Sequence, residues 1–390
     1  MLSFVAAYLF SGLWLPFVLA TNTVYCQHDL EPNTSDITNT TYVNLVRSVK
    51  IPSGTRYRYV FSPPFYSDKP YLLFLHGFPE TSYEWHYQIT YFTEQGYGVI
   101  APDLLGYGGT DNPSGLQAFN FKNMVDELGQ LLDCEGIDTV IGISHDFGSP
   151  LLSRFILYEP SRLAAVAFLG NGYVAPQLQL DAPAIDAVNE ATLARFGYQQ
   201  YGYWLFNNED EAGALVDQHL ESFYSLMTTR NSSSWVEHFM PVGAIREWLV
   251  QDKTASDVFS SRVNMEQWKL IMRAQGGLDG PLKWYKAMMR GINNLDSTDL
   301  NSSGAIPQPL LLVLADRDPI AIPSLQLNST VPYASNLRAR SVNAGHFIQV
   351  EAPDEINKHL DLFIRDVMKI PASDSDSIAV CYEGCQPAGI

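Results

Sequence analysis

Hydrophobic positions along the chain follow two rhythms. The first segments alternate. NLVRSVKI (44–51) and RYRYVFS (56–62) read as an antiparallel strand pair turning at Ser53–Gly54. Short unbroken apolar runs follow: YLLFL (71–75), GVIAP (98–102), TVIGIS (139–144), AAVAFLG (164–170) and PLLLVLA (309–315). Runs of this kind mark strands buried on both faces, as in a parallel sheet. Between them lie amphipathic stretches at 82–95, 119–134, 150–160 and 353–368. Strand–helix alternation predicts a doubly wound, mostly parallel α/β sheet. Residues 174–305 break the rhythm. They lack buried-strand runs, are rich in Tyr, Trp and Phe, and read as a helical lid inserted between two halves of the core, 44–173 and 306–370.

The ends differ from the middle. Residues 1–27 hold no Asp, Glu, Lys or Arg, and Leu2 to Ala20 is almost wholly apolar. Val18-Leu19-Ala20 before Thr21 fits a small-x-small cleavage site, which reads as a signal peptide over 1–20. The missing basic n-region and the length of the run leave a membrane anchor as the competing reading. Five N-x-S/T triplets, at Asn33, Asn39, Asn231, Asn301 and Asn328, fit an exported glycoprotein. Residues 21–43 read as an exposed N-terminal arm and 371–390 as a polar C-terminal tail.

Charge and cysteine content narrow the function. Lys and Arg number 24 against 42 Asp and Glu, a net charge of −18. Phosphate backbones need a basic excess, so nucleic acid is excluded as a partner, and contact with a membrane is expected only through an uncleaved leader. Of the four cysteines, Cys26, Cys381 and Cys385 lie in the terminal segments, where disulfides would tie down the tails of a secreted chain. Cys134 sits in an apolar stretch and reads as a buried thiol. Neither the cysteines nor the eight histidines show metal-ligand spacing, so no metal and no cofactor is expected.

The candidate chemistry starts at TVIGIS-HDFGSP (139–150), where a buried strand runs into a helix. A nucleophile on such a strained turn needs small residues two before and two after it. Centred on Asp146 the flanks are Ser144 and Gly148, which fit. Centred on Ser144 they are Gly142 and Asp146, which do not. The turn therefore presents a carboxylate, able to displace at an sp³ carbon and form an ester. His346, in NAGHFIQVEAP, and Asp318, in PLLLVLADRDPI, also fall at strand ends, where open α/β sheets build their sites. Asp316 is the rival acid. LFLHGFPET (73–81) follows a buried strand, and the backbone N–H groups of Phe78 and Phe147 are candidates for an oxyanion hole. Phe78–Pro79 is a candidate cis peptide.

Over about 44–370 the chain resembles an α/β-hydrolase of the soluble epoxide hydrolase type. The resemblance rests on HGFPE with Trp85 downstream, APDLLGYGGTDNP (101–113), GISHDFGS, ADRD and AGHF, in this order and near spacing. It implies Asp146 as nucleophile, with His346 and Asp318 activating water. It also implies two lid tyrosines that hold the oxygen of a small, apolar epoxide. GPLKWYKAMMR (280–290) places one on Tyr285. In FGYQQYGYW (196–204) the pattern overlays Tyr198, with Tyr201 and Tyr203 as alternatives. Haloalkane dehalogenases share this turn, but often hold the halide with an indole N–H after the nucleophile or an Asn at the position of Phe78; here both positions are Phe. Dehalogenation and a non-enzymatic binding role remain the alternative readings.

Overall fold

The computed structural model describes residues 25–176, 180–294 and 304–370. The described residues hold one nine-stranded sheet: β1 (Gln27–His28), β2 (Val46–Lys50), β3 (Arg56–Ser62), β4 (Tyr71–Leu75), β5 (Gly98–Pro102), β6 (Val140–His145), β7 (Leu163–Leu169), β8 (Leu310–Ala315) and β9 (Leu337–Val342). Their order is β1-β2-β3-β5-β4-β6-β7-β8-β9. The first three strands are antiparallel to their neighbours, and every pair from β5 onward in that order is parallel. The unbroken apolar runs are the strands buried along their length: β6 and β8 have no exposed residue. Helices cover both faces. In Phe121–Cys134 the buried set is Phe121, Met124, Val125, Leu128, Leu131 and Leu132, one stripe at helical spacing, and Asn120 caps its start by accepting from the Asn123 N–H.

Between β7 and β8 the chain leaves the sheet and forms helices from Ala182–Phe196 through Asp279–Met289. They sit over the carboxyl end of the sheet and are bolted to it. Trp284 donates to the Leu105 carbonyl at 2.9 Å and Trp268 to that of Pro79 at 2.8 Å. Lys283 reaches Asn112 Oδ1 and the Pro113 carbonyl, both at 2.9 Å. Gly280 packs so close to the Gly106 carbonyl that a side chain there would collide with it.

The N-terminal arm departs from expectation. It is not a free surface strand: β1 pairs with β2, and Ile37 and Tyr42 are buried. Cys134 is not a thiol but the disulfide partner of Cys26. It ends the helix that runs beside the β1–β2 edge, where His28 lies 3.7 Å from Glu135. Buried Arg58 grips both Asp36 of the arm (2.6 and 2.9 Å) and Asp103 of the core (2.7 Å). The Asp36 carbonyl in turn accepts from Gln267 of the lid. An arginine between two buried carboxylates satisfies charges that would be costly alone. Of the triplets, Asn33, Asn39, Asn231 and Asn328 are exposed. Asn301, the leader, Cys381 and Cys385 lie outside the described residues.

Candidate active site

Asp146 stands between β6 and the helix Gly148–Tyr158 with φ of 45°, a left-handed conformation that few non-glycine residues adopt. The turn holds because its neighbours are small. A Cβ on Gly148 would lie 2.1 Å from the Leu75 carbonyl, and one on Gly77 would strike Asp146 itself. Ser144 Oγ lies 3.1 Å from Ser149 Oγ beneath the turn. Phe78 N–H donates to Asp146 Oδ1 at 2.8 Å, and Phe78–Pro79 is cis.

Three strand ends converge here. Asp318, past β8, accepts from the N–H groups of Ile320 (2.8 Å) and Ala321 (3.0 Å) through Oδ1, and through Oδ2 it accepts from His346 Nδ1 at 2.7 Å. That fixes the ring so that Nε2 faces Asp146 Oδ2, 3.6 Å away. Asp316 is exposed and bonds Ser341, while Asp318 holds the His346 ring. Burial opposes charge on both Asp146 and His346. For Asp146 the His346 and His145 rings and the Phe78 N–H outweigh burial and lower its pKa. For His346 the Asp318 and Asp146 carboxylates outweigh it, and its pKa lies well above the usual imidazole range. The unreacted site thus holds an Asp146 carboxylate against a His346 imidazolium.

Hydrogen bonds behind these groups, not foreseen from the sequence, tie the strand ends together. His145 Nδ1 lies 2.9 Å from Glu80 Oε2, and His145 Nε2 lies 2.8 Å from the His346 carbonyl. Glu80 also accepts from the Gly77 N–H at 2.7 Å and from Gln349. Trp235 stands 5.4 Å from the His346 ring, centroid to centroid. A narrow cleft lined in part by Trp235, Arg317 and Phe347 opens on His346.

The lid supplies aromatic groups from above. Tyr285, on Asp279–Met289, packs edge-to-face on Phe78 (5.0 Å) and Phe147 (4.7 Å), the two residues expected to form the oxyanion hole. Tyr203, on Gly202–Asn207, meets Tyr285 edge-to-face at 6.0 Å. Both are buried, and burial, first, and the nearby Asp146 charge hold both hydroxyls well above their ordinary pKa, so both stay protonated. Tyr198 is placed differently. It is half-buried, and its hydroxyl donates to the Pro319 carbonyl at 3.0 Å. The short helix that begins at Gly202 turns Tyr203, not Tyr198, toward Tyr285. Tyr201 is part-buried and lies 6.3 Å from the Tyr203 ring.

Residues 70–353 match the α/β hydrolase fold family. The chain belongs to that family. This α/β hydrolase is 26% identical over 312 residues to the bifunctional epoxide hydrolase 2 of Sus scrofa, covering 78% of this chain and 53% of the pig protein. It therefore spans about half the length of that relative. It is 25% identical over 338 residues to an epoxide hydrolase of Neurospora crassa, covering 82% of this chain and 95% of the other. The crystal structure of epoxide hydrolase A from Mycobacterium thermoresistibile superposes with a TM-score of 0.65 at 26% identity, covering 82% of this chain and 98% of that one.

Proposed function

We propose that this α/β hydrolase opens epoxides to vicinal diols through an ester on Asp146. The observation that carries the reading is the placement of two protonated phenols, Tyr203 and Tyr285, over a carboxylate paired with His346. A carboxylate nucleophile alone would serve several leaving groups. An epoxide is set apart because its oxygen leaves as an alkoxide and needs a proton, which a phenol supplies. The names of the relatives support the same reaction class.

In the first step Asp146 Oδ attacks one ring carbon. The C–O bond on that carbon breaks, and the ring oxygen takes a proton from a lid tyrosine. Asp146 is now a neutral ester. Two of the causes that raise the His346 pKa, its hydrogen bond and its Coulombic attraction to Asp146, are lost at that moment. Only Asp318 still favours the imidazolium, so His346 becomes able to give up its proton, which returns to the lid tyrosinate, and then to act as a base. It takes a proton from water, which attacks the ester carbonyl. The tetrahedral oxyanion forms beside the Phe78 N–H, with the Phe147 N–H as the second donor of the reading. Collapse frees the diol and restores Asp146.

Export also belongs to this reading. The Cys26–Cys134 disulfide supports an oxidising compartment, and four exposed triplets support glycosylation there. Among the described residues no helix is long and apolar enough to cross a membrane.

The test is turnover of styrene oxide beside a panel of 1-haloalkanes. Diol from the epoxide and no halide release is the expected result. Halide release with no diol would move the protein to the dehalogenase reading, and neither product, with epoxide bound, to a binding role.

A further inference from the structure

Six tryptophans lie among the described residues, and four of them donate their indole N–H to a backbone carbonyl: Trp235 to Leu226 (2.6 Å), Trp248 to Ser222 (3.1 Å), Trp268 to Pro79 (2.8 Å) and Trp284 to Leu105 (2.9 Å). That is the ordinary behaviour of a buried indole. Trp85 and Trp204 are the exceptions. Trp85 packs on Phe74 inside the core. Trp204 is buried where the lid meets the site. It follows Tyr203 on the lid helix, is only 7% exposed, and packs on Phe147 (5.8 Å) and edge-to-face on Tyr285 (4.8 Å). A buried donor without a well-formed hydrogen bond costs about 1–3 kcal/mol. Here that donor stands among the groups that meet the leaving oxygen.

Resting on the epoxide reading above, we infer that the Trp204 indole N–H is a positioning donor for Tyr203, its weak contact with the Tyr203 hydroxyl tightening into a full hydrogen bond as that hydroxyl passes its proton to the opening ring. When the C–O bond breaks and the ring oxygen takes the Tyr203 proton, negative charge appears on Tyr203 Oη. The indole N–H donates to that oxygen without transferring its own proton. The proton on Tyr203 is restored from the His346 imidazolium once Asp146 is esterified, and water returns a proton to His346 in the second step. Burial, the nearby Tyr201 hydroxyl and the Asp146 and Asp318 carboxylates all work against charge on Tyr203, whereas Trp204 works in its favour. The interaction is stronger in the transition state than in the resting site, which is the condition for it to accelerate ester formation.

The consequence is confined to one half-reaction. Ester formation and ester hydrolysis are followed separately in single turnovers of styrene oxide with excess enzyme, by rapid quench and peptide mass. Trp204→Phe keeps an aromatic ring and removes the donor. It should slow ester formation about 10- to 100-fold, the range for a hydrogen bond to a charged group, while hydrolysis stays within about 2-fold. Trp204→His returns a ring N–H and should recover part of the lost rate. In a Tyr203→Phe background Trp204→Phe should have no further effect, because the oxygen it serves is gone. Equal slowing of both steps, or an undiminished effect without the Tyr203 hydroxyl, would overturn the inference and leave Trp204 as packing. Wild-type rates in Trp204→Phe would overturn it too. Failure of the wild type to form any ester would instead overturn the parent reading, and this inference with it.

Discussion

The sheet and the lid build their halves of the site in different ways. On the sheet side each group is held by backbone geometry and hydrogen bonds. Asp146 is fixed by its φ and the Phe78 N–H, and Asp318 by two N–H groups. His346 is fixed by Asp318 at 2.7 Å. On the lid side Tyr203 and Tyr285 are held by ring contacts on helices of 6 and 11 residues. Tyr203 stacks on Phe239 at 4.3 Å, and Tyr285 wedges between Phe147 and Trp204. The difference assigns the labour. Nucleophile and base need fixed distances, which strand ends supply. The proton donors follow the substrate's oxygen, and a docked helix face sets where that oxygen sits.

Breaking the sheet side should cost most. Asp146→Ala removes the nucleophile, and turnover should fall about 10⁴-fold or more, measured as diol from styrene oxide. His346→Gln should spare ester formation and stall its hydrolysis by about 10³-fold or more, so the alkylated Asp146 peptide accumulates and is weighed by mass spectrometry. The pH dependence sharpens this. The unreacted pair has a lowered Asp146 pKa and a raised His346 pKa, so ester formation should be flat across neutral pH and fail only in acid as Asp146 protonates. Hydrolysis needs neutral His346, so its single-turnover rate should rise with pH and level off. Its midpoint should lie below the His346 pKa that titration of the unreacted enzyme gives.

The lid side gives smaller effects with a sharper contrast. Tyr203→Phe should slow ester formation by about 10²-fold, within the usual range for general-acid catalysis. Tyr198→Phe loses only a bond to the Pro319 carbonyl and should leave the rate within about 3-fold. The reverse ranking would return the role to Tyr198. Smallest for the chemistry, Arg58→Met should leave ester formation within a few-fold. It strands Asp36 and Asp103, however, and should cost about 3–5 kcal/mol of stability in urea unfolding.

How much of this could be read in the sequence follows the same division. Seven of the nine strands lie where apolar runs or alternation put them. Asp146 could be read because a strained turn forces small residues around it, a local rule visible as Ser144 and Gly148. Asp318 could be read because the end of β8 is visible as the end of an apolar run, whereas His346 follows the partly exposed β9 and is legible mainly through AGHF. The choice among Tyr198, Tyr201 and Tyr203 could not be read, since each sits in the same aromatic stretch and only the start of a helix at Gly202 decides which one faces inward. The Cys26–Cys134 pairing and the arm's Asp36 were hidden for a related reason. Both are contacts across 108 and 22 positions that leave no periodic trace.

The central claim is the covalent ester on Asp146. It is tested most directly by a single turnover of styrene oxide with excess enzyme in ¹⁸O water, followed by mass analysis of the peptide that holds Asp146. Water attacking the ester carbonyl leaves its oxygen in the carboxylate, so the account predicts ¹⁸O in Asp146 and an unlabelled diol. Label in the diol, with none in the peptide, would mean that water opens the ring directly and would contradict the account.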